Sequence, residues 1–276
     1  MQKKIFSYIL WMTVFSLTLT GCKSTADLSK DTKSQQTSVR EYSVQSVLWQ
    51  QNAAEYRALC YQAFNVAKLN LDQFMADESL KDQNIAIITD IDETVLDNSP
   101  FNAKLIEKDE EYSVEEWTHW TSLAVAEEVP GAGEFLNYAK NKGVEIFYVT
   151  NRRTAEMEAT LENMKAVNFP FADEDHVFLR EETGSKKDRF DKVLKDHTVV
   201  MYLGDNLGDF SHEFITPSTK KRNDLVKRLK ENFGVNFIVL PNPMYGDWEM
   251  QGIYEGKYDW TDKEKDSIRK AKLRAY

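Results

Sequence analysis

Residues 84–94 read NIAIITDIDET and join a short apolar run to a cluster of acidic side chains. A continuous apolar run of this length is typical of a strand that is buried on both faces of a parallel sheet. Asp90 and Asp92 follow directly, so we place them at the carboxyl end of the strand. That edge of an open parallel sheet is where ligands bind.

Similar runs recur along the chain and alternate with helical patterns. The sequence predicts three more strands, at residues 144–150, 198–204 and 236–240. The helices that it predicts between them cover residues 132–141, 154–166, 186–195 and 219–232. Strands that alternate with helices in this way indicate βαβ units, and therefore an α/β fold with a parallel sheet covered by helices on both faces.

Polar residues also end the second and third strands. Thr150-Asn151-Arg152 follows one, and Gly204-Asp205-Asn206-Leu207-Gly208-Asp209 follows the other. Because carboxyl ends of parallel strands share one edge, we expect these residues to meet Asp90 and Asp92. Four carboxylates brought together raise one another's pKa unless a cation is present. Mg²⁺, which prefers oxygen ligands, is the expected cation. A carboxylate nucleophile beside a metal and a second carboxyl group is typical of phosphoryl transfer through an aspartyl-phosphate.

The amino terminus has the pattern of a bacterial lipoprotein signal. Lys3 and Lys4 precede an apolar run, which ends in LTGC at residues 19–22 and resembles a lipobox. We therefore predict a signal peptide at residues 1–21, a lipid on Cys22 and a flexible tether at residues 22–42. An uncleaved membrane anchor is the alternative. The expected location is the cell envelope, at the outer membrane or the cell surface.

Residue spacing and composition narrow the possible classes of protein. From residue 43, apolar side chains recur at helical spacing and predict one long amphipathic helix or two, with Cys60 on the apolar stripe as a buried residue and not a reactive thiol. The chain has 42% hydrophobic residues, which excludes disorder of the whole chain. Its 35 Lys and Arg against 45 Asp and Glu argue against a nucleic acid polymer as the partner.

These motifs resemble a known group of enzymes. Residues 90–94, 149–152 and 204–210 resemble motifs I, II and IV of the haloacid dehalogenase superfamily. The segments VLDNSP at 95–100 and LPNPMYGDWE at 240–249 are similar to the class C acid phosphatases, bacterial surface lipoproteins with four signature aspartates. The resemblance covers nearly the whole mature chain. It implies a haloacid-dehalogenase-like Rossmannoid sheet flanked by helices, with a mainly helical cap built in part from the N-terminal segment, in an acid phosphatase domain at residues 43–276.

The resemblance also implies catalytic roles. Asp90 would attack phosphorus, and Asp92 would protonate the leaving oxygen and then activate water. Thr150 would hydrogen-bond a phosphoryl oxygen, and Lys186 would offset the charge of the transferring group. The sequence departs from the usual spacing by placing two lysines in succession, so Lys187 is the alternative to Lys186.

Ligands for the metal and the substrate follow from the same resemblance. The implied Mg²⁺ ligands are the side chains of Asp90 and Asp205 and the backbone carbonyl of Asp92, and Asp209 completes the acidic cluster directly or through water. The expected substrate contacts are Asn151, Trp117 and Tyr245, the two aromatic residues as a clamp that stacks a nucleobase. Alternatively, Trp117 and Tyr245 are ordinary aromatic residues of the core or of the rim of the site.

Two functions from different classes fit these observations. The first is a Mg²⁺-dependent phosphomonoesterase, an acid phosphatase or 5′-nucleotidase, that acts outside the cytoplasm on nucleoside monophosphates and other small phosphate esters. The second is a noncatalytic surface lipoprotein that binds a nucleotide or haem for uptake. A binding protein has no need for a second carboxylate two residues after Asp90, so the pair favours the enzyme. A homodimer is compatible with either.

Overall fold

The apolar runs form strands where the sequence predicts them. The computed structural model describes residues 40–276, so the predicted signal peptide, Cys22 and most of the predicted tether lie outside the described residues. Within that range the strands are β1 (Ile85–Thr89), β2 (Leu96–Asp97), β3 (Glu127–Glu128), β4 (Glu145–Arg153), β5 (Val177–Arg180), β6 (Thr198–Gly204) and β7 (Phe237–Val239).

Five of these strands make one parallel sheet in the order β5-β4-β1-β6-β7. The first strand along the chain is therefore central, and the chain continues to one side of it before crossing to the other. This reversal is the topological switch point at which open α/β sheets bind ligands. The short strands β2 and β3 pair in antiparallel fashion outside the main sheet. The predicted parallel sheet is confirmed, and β5 is an edge strand that the sequence reading missed.

Helices connect and cover the strands. Within residues 40–276 they are α1 (Val44–Asn52), α2 (Ala54–Met75), α3 (Ser99–Lys108), α4 (Val114–Ser122), α5 (Ala132–Asn141), α6 (Met157–Ala166), α7 (Lys187–Leu194), α8 (Thr219–Arg228) and α9 (Asp262–Lys272). Ala53 has an extended backbone and separates α1 from α2, so the N-terminal pattern forms two helices. Helix α8 ends at Arg228, before the predicted residue 232. In this part of the chain, no helix has the length and hydropathy needed to span a bilayer.

Side chains of β1 alternate between two apolar layers. Ile87 points to the layer that contains Leu71 of α2 and Leu136 of α5. Its neighbour Ile88 points to the opposite layer, where Phe190 of α7 packs. Both faces of the sheet are therefore covered, as continuous apolar strands require. Cys60 of α2 is completely buried in the first layer, and burial raises the pKa of its thiol to about 11, so the predicted structural role of this residue is confirmed.

The N-terminal segment divides between the sheet and a helical layer beside its carboxyl edge. Helix α2 covers a face of the sheet, whereas α1 packs against α3. Helices α3 and α4 meet through Phe101 and Trp117, whose ring centroids lie 5.1 Å apart. The predicted cap with a contribution from the N-terminal segment thus corresponds to α1, α3 and α4. The last residues of the predicted tether also pack on the domain, because Arg40 is buried and the Tyr42 ring lies 3.8 Å from the Arg269 guanidinium.

Candidate active site

Three aspartates converge at the carboxyl edge of the sheet. Asp90 follows β1, and Asp205 and Asp209 follow β6. One carboxylate oxygen from each lies within 4.8 Å of the other two. Asp90 and Asp209 are buried and Asp205 is half-buried. These three residues are called the acidic trio below. They meet from distant parts of the chain because β1 and β6 are neighbours in the sheet.

Lys186 is the cation nearest to the acidic trio in the described structure. Its Nζ contacts an oxygen of Asp90 and lies 2.7 Å from Asp209 Oδ1. Only 4% of the Lys186 residue is exposed, so these ion pairs lie in a region with little solvent screening. Lys187 instead points outward and pairs with Asp191 of the same helix. The structure thus places Lys186 at the site and Lys187 away from it.

Burial and mutual repulsion raise the pKa of two members of the acidic trio, Asp90 and Asp205. Burial is the largest cause of the rise in the pKa of Asp90 to about 7; Asp209 and Asp92 add to it, and Lys186 opposes it. Burial followed by the charges of Asp209 and Asp90 raises the pKa of Asp205 well above its ordinary value. For Lys186, burial alone would lower the pKa, but the two carboxylates outweigh it and the pKa is raised. The site is therefore an anionic cluster that one lysine does not fully compensate.

Asp92 has a different environment from the acidic trio. Its Oδ1 accepts hydrogen bonds from Arg152 Nη2 at 2.8 Å and from Asn98 Nδ2 at 2.9 Å. Thr150 Oγ1 lies 3.4 Å from its other oxygen. Arg152 is almost fully buried, and such a charge needs a hydrogen-bonded partner. Donors on several sides thus fix the Asp92 carboxylate, which leaves its backbone as the part of the residue available to a metal.

A glycine allows Asp209 to reach the trio. Asp209 ends a 3₁₀ turn at Leu207–Asp209, in which its Oδ2 accepts the Asn206 backbone N–H at 2.9 Å. A Cβ atom at Gly204 would lie 2.3 Å from the Asp209 Cβ, far inside van der Waals contact. The last residue of β6 must therefore lack a side chain for Asp209 to fold back over the strand end.

Two neutral side chains hold Asp205. Thr94 Oγ1 donates to its Oδ1 at 3.1 Å, and Asn242 Nδ2 donates to its Oδ2 at 2.8 Å. Thr94 belongs to the loop after β1, and Asn242 to the segment after β7. Each oxygen of Asp205 thus receives one hydrogen bond, which leaves lone pairs for a further ligand.

Strand β4 continues past its predicted end to Arg153, and Arg189 of α7 connects the last residues of the strand to the turn before α7. The Arg189 guanidinium donates to the Thr150 carbonyl, to Asn151 Oδ1 at 2.8 Å and to the Ser185 carbonyl at 3.1 Å. Burial lowers the pKa of Arg189, but the group stays a cation at neutral pH. These bonds hold Thr150 close to the turn that carries Lys186. Asn151 itself is exposed at the edge of the site.

The two aromatic residues predicted as a substrate clamp differ in their packing. Trp117 is 9% exposed, packs on Phe101, and has the Arg152 guanidinium 5.9 Å from its ring. Tyr245 is half-buried, and its hydroxyl donates to Glu93 Oε1 at 3.1 Å. Burial followed by the charge of Glu93 raises the pKa of Tyr245 well above its ordinary value. Their contact with a substrate stays a prediction.

Comparison with known proteins identifies the family. Residues 11–248 match the family described as HAD superfamily, subfamily IIIB (Acid phosphatase). The chain belongs to this acid phosphatase family. It is thus an acid phosphatase, a phosphomonoesterase that acts on small phosphate esters.

Solved structures agree with the family match. The class C acid phosphatase from Bacillus anthracis with tungstate bound is 39% identical to this acid phosphatase, with a TM-score of 0.82, and the match covers 86% of this chain and 98% of that one. A second structure of the class C acid phosphatase from Bacillus anthracis gives 38% identity and the same TM-score, covering 87% and 99% of the two chains. The resemblance to class C acid phosphatases is therefore confirmed.

The acidic trio fits the metal dependence of HAD phosphatases. Its members offer only carboxylate oxygens, which are ligands of hard divalent cations, and no thiolate or imidazole is among them. A divalent cation would also relieve the repulsion that raises the pKa of Asp90 and Asp205. The donor set of this acid phosphatase thus supports a metal ion at the trio.

Sequence reasoning missed several side chains that support the site of this phosphatase. Arg152, Asn98 and Asn242 stand within the motifs and Arg189 within a predicted helix, but the sequence patterns assign none of them a supporting role. The asparagines follow acidic or turn positions, which is a weak signal for a supporting hydrogen bond. Nothing in the local sequence marks the arginines as buried, because their burial depends on carboxylate and carbonyl partners from other elements.

Gly204→Ala tests the close approach of Asp209. Because the added Cβ would collide with the Asp209 Cβ, we expect displacement of the carboxylate and a fall in kcat of about 100-fold, the scale of a misplacement of about 1 Å. Gly184→Ala is the control, since its Cβ would meet open space. Steady-state kinetics with an aryl phosphate gives kcat for both variants. Equal activity in the two variants would show that the position of Asp209 is unimportant.

Proposed function

We propose that this acid phosphatase uses Mg²⁺ to hydrolyse nucleoside monophosphates and other small phosphate esters through an aspartyl-phosphate on Asp90. The observation that carries the proposal is the convergence of three carboxylates within 4.8 Å, with Lys186 between two of them. Asp92, the second carboxyl group of the same loop, has separate hydrogen-bond partners. Two carboxyl groups in different environments are suited to different roles in one reaction.

In the first half-reaction, an Asp90 carboxylate oxygen bonds to phosphorus as the bond from phosphorus to the leaving oxygen breaks. Asp92 gives its proton to that oxygen, so the alcohol leaves neutral. Arg152 and Asn98 hold the Asp92 carboxyl group in one orientation, which lowers the cost of reaching the reactive geometry. Lys186 Nζ, which already contacts Asp90, offsets the negative charge of the phosphoryl group.

In the second half-reaction, water attacks phosphorus and the bond to Asp90 breaks. Asp92, now a carboxylate, accepts the proton of that water, and inorganic phosphate leaves as Asp90 is restored. The Thr150 hydroxyl would donate to a phosphoryl oxygen in place of its long contact with Asp92 Oδ2, at 3.4 Å. Mg²⁺ bound by Asp90, Asp205, Asp209 and the Asp92 carbonyl would supply positive charge to the phosphoryl oxygens.

Asp90→Asn is expected to lower kcat for an aryl phosphate by about 1,000-fold or more, since an amide cannot serve as the nucleophile. A chelator is expected to abolish wild-type turnover, and added Mg²⁺ to restore it. Asp196→Asn is the control, because Asp196 is exposed and precedes β6 at the opposite edge of the sheet. Turnover of the Asp90 variant at the wild-type rate would exclude Asp90 as the nucleophile.

Aromatic residues beside the site support a nucleotide substrate. Tyr245 keeps its hydroxyl at Glu93 next to Asp92, and its half-buried ring leaves part of its surface for a ligand. Trp117 is better placed as a wall, since it packs on Phe101 with little exposure. Stacking of one base on an aromatic ring contributes about 1 to 3 kcal/mol, so Tyr245 alone is sufficient for a preference of about tenfold or more.

A substrate panel tests this preference. We expect kcat/KM for adenosine 5′-monophosphate to exceed that for glucose 6-phosphate by about tenfold, and Tyr245→Ala to remove most of the difference. Tyr258→Ala, a change at a tyrosine that is 71% exposed, is the control. Equal kcat/KM for the nucleotide and the sugar phosphate would contradict a nucleotide clamp and leave the phosphatase assignment intact.

We also propose that the enzyme acts outside the cytoplasm, held to the outer membrane or cell surface through lipid on Cys22. The support is the lipobox-like LTGC at residues 19–22, which lies outside the described residues. Cys22→Ser is expected to abolish incorporation of labelled fatty acid while kcat is unchanged. Labelled lipid in the variant, or none in the wild type, would contradict the anchor. The homodimer stays a prediction, and the noncatalytic alternative is set aside because the chain belongs to an enzyme family.

A further inference from the structure

A second polar cluster lies beside the catalytic loop and takes no direct part in the reaction above. Its centre is Glu93, which follows Asp92 and is completely buried. Glu93 Oε2 accepts a hydrogen bond from Gln50 Nε2 at 2.6 Å. Its Oε1 accepts from the Asn98 backbone N–H and from the Tyr245 hydroxyl, both at 3.1 Å. Protein donors thus occupy both oxygens, which indicates a positioning role and not contact with substrate.

The backbone at Glu93 supports this interpretation. Its φ is +61°, in the left-handed region that residues with a side chain rarely adopt. The Glu93 N–H donates to the Leu96 carbonyl at 2.8 Å and closes the turn after Asp92. A residue is kept in such a conformation only where the surrounding contacts determine it, and such residues are concentrated at functional sites. The left-handed turn is what directs the Glu93 side chain towards α1 and Tyr245.

Gln50 brings helix α1 into the same cluster. It is 2% exposed, and its Nε2 also donates to Asp97 Oδ1 at 3.0 Å. Its Oε1 has no hydrogen-bond partner in the described part of the chain. Gln50 thus supplies one hydrogen bond to each of two carboxyl groups while its own oxygen has none. Because an unpaired buried polar atom is costly, this arrangement indicates that Gln50 serves to hold the two carboxyl groups. Gln50 lies only a few residues after the predicted tether.

Tyr245 depends on Glu93 for the position of its ring. At its backbone, the N–H lies 3.4 Å from Asn242 Oδ1, a long contact. At the other end of the side chain, the hydroxyl donates to Glu93. The direction of the ring is therefore set by an acceptor that Gln50 in turn holds.

We infer that Gln50 and Glu93 are positioning residues that fix the Tyr245 hydroxyl, so that helix α1 determines how tightly the site binds the leaving group of a phosphate ester. This inference rests on the proposed contact between Tyr245 and the leaving group. The reacting atoms are not touched by Gln50 or by Glu93. The effect of losing either residue therefore falls on KM more than on kcat.

Gln50→Met tests the inference because it keeps the length of the side chain and removes the amide. We expect KM for adenosine 5′-monophosphate to rise about tenfold, the scale of leaving one buried acceptor without its hydrogen bond, and kcat to change less than about threefold. Gln51→Met is the matched control, since Gln51 is the next residue of α1 and is exposed. Its kinetics are expected to equal those of the wild type.

Tyr245→Phe removes the same hydrogen bond from the other end and is informative even if Gln50→Met does not fold. It is expected to raise KM by a similar factor, and the double variant is expected to show no further rise, because both changes break one chain of contacts. Glu93→Gln is the conservative rescue. Its amide oxygen can still accept from Asn98 and Tyr245, so KM is expected to stay near the wild-type value.

Three outcomes would overturn the inference. These are additive effects of Gln50→Met and Tyr245→Phe on KM, a lower melting temperature of Gln50→Met with unchanged KM, and a fall in kcat with unchanged KM. Failure of the nucleotide proposal is recognised separately, since the wild type would then show equal kcat/KM for the nucleotide and the sugar phosphate. In that case, KM for the aryl phosphate is measured for Gln50→Met, Tyr245→Phe and the double variant. Additive effects on this KM would contradict the inference, and non-additive effects would support it.

Discussion

Repulsion among Asp90, Asp205 and Asp209 is the constraint on which the rest of the site depends. The fold brings three carboxylates within 4.8 Å at the switch point of the sheet, where burial makes their charge expensive. Lys186 meets two of them, and this explains why a lysine is almost fully buried at the turn before α7. A divalent cation would complete the charge balance, and the site would then attract the negative charge of a phosphate ester.

Much of this arrangement follows from the sequence, because buried parallel strands have a strong signature. The apolar runs before Asp90 and Asp205 predict strands, and parallel strands place their carboxyl ends together whatever their separation in the chain. Short or alternating elements have weaker signatures, so β5, with four residues of alternating burial, was missed. Side chains that depend on tertiary partners are harder still. Arg152 looks like a surface residue until the structure places it against Asp92.

The structure also separates residues between which the sequence leaves an alternative open. Lys186 and Lys187 are adjacent residues of the same type. At the start of α7, the Lys186 side chain points into the site and the Lys187 side chain points to solvent. Trp117 and Tyr245 both appear as candidate clamps, yet one is packed into the helical layer and the other has its hydroxyl tied to Glu93. The segment ahead of the sheet likewise contributes to the site, since Gln50 of α1 donates a hydrogen bond to Glu93 in the loop after β1.

The most direct test of the central claim is anomalous diffraction from a crystal soaked with Mn²⁺, which takes the same oxygen ligands as Mg²⁺. The account predicts one anomalous peak at metal–oxygen distance, about 2.0 to 2.6 Å, from carboxylate oxygens of the acidic trio. Lys186 would be displaced from at least one carboxylate to make room. A peak elsewhere, or no peak at saturating Mn²⁺ with both Lys186 ion pairs intact, would contradict the account.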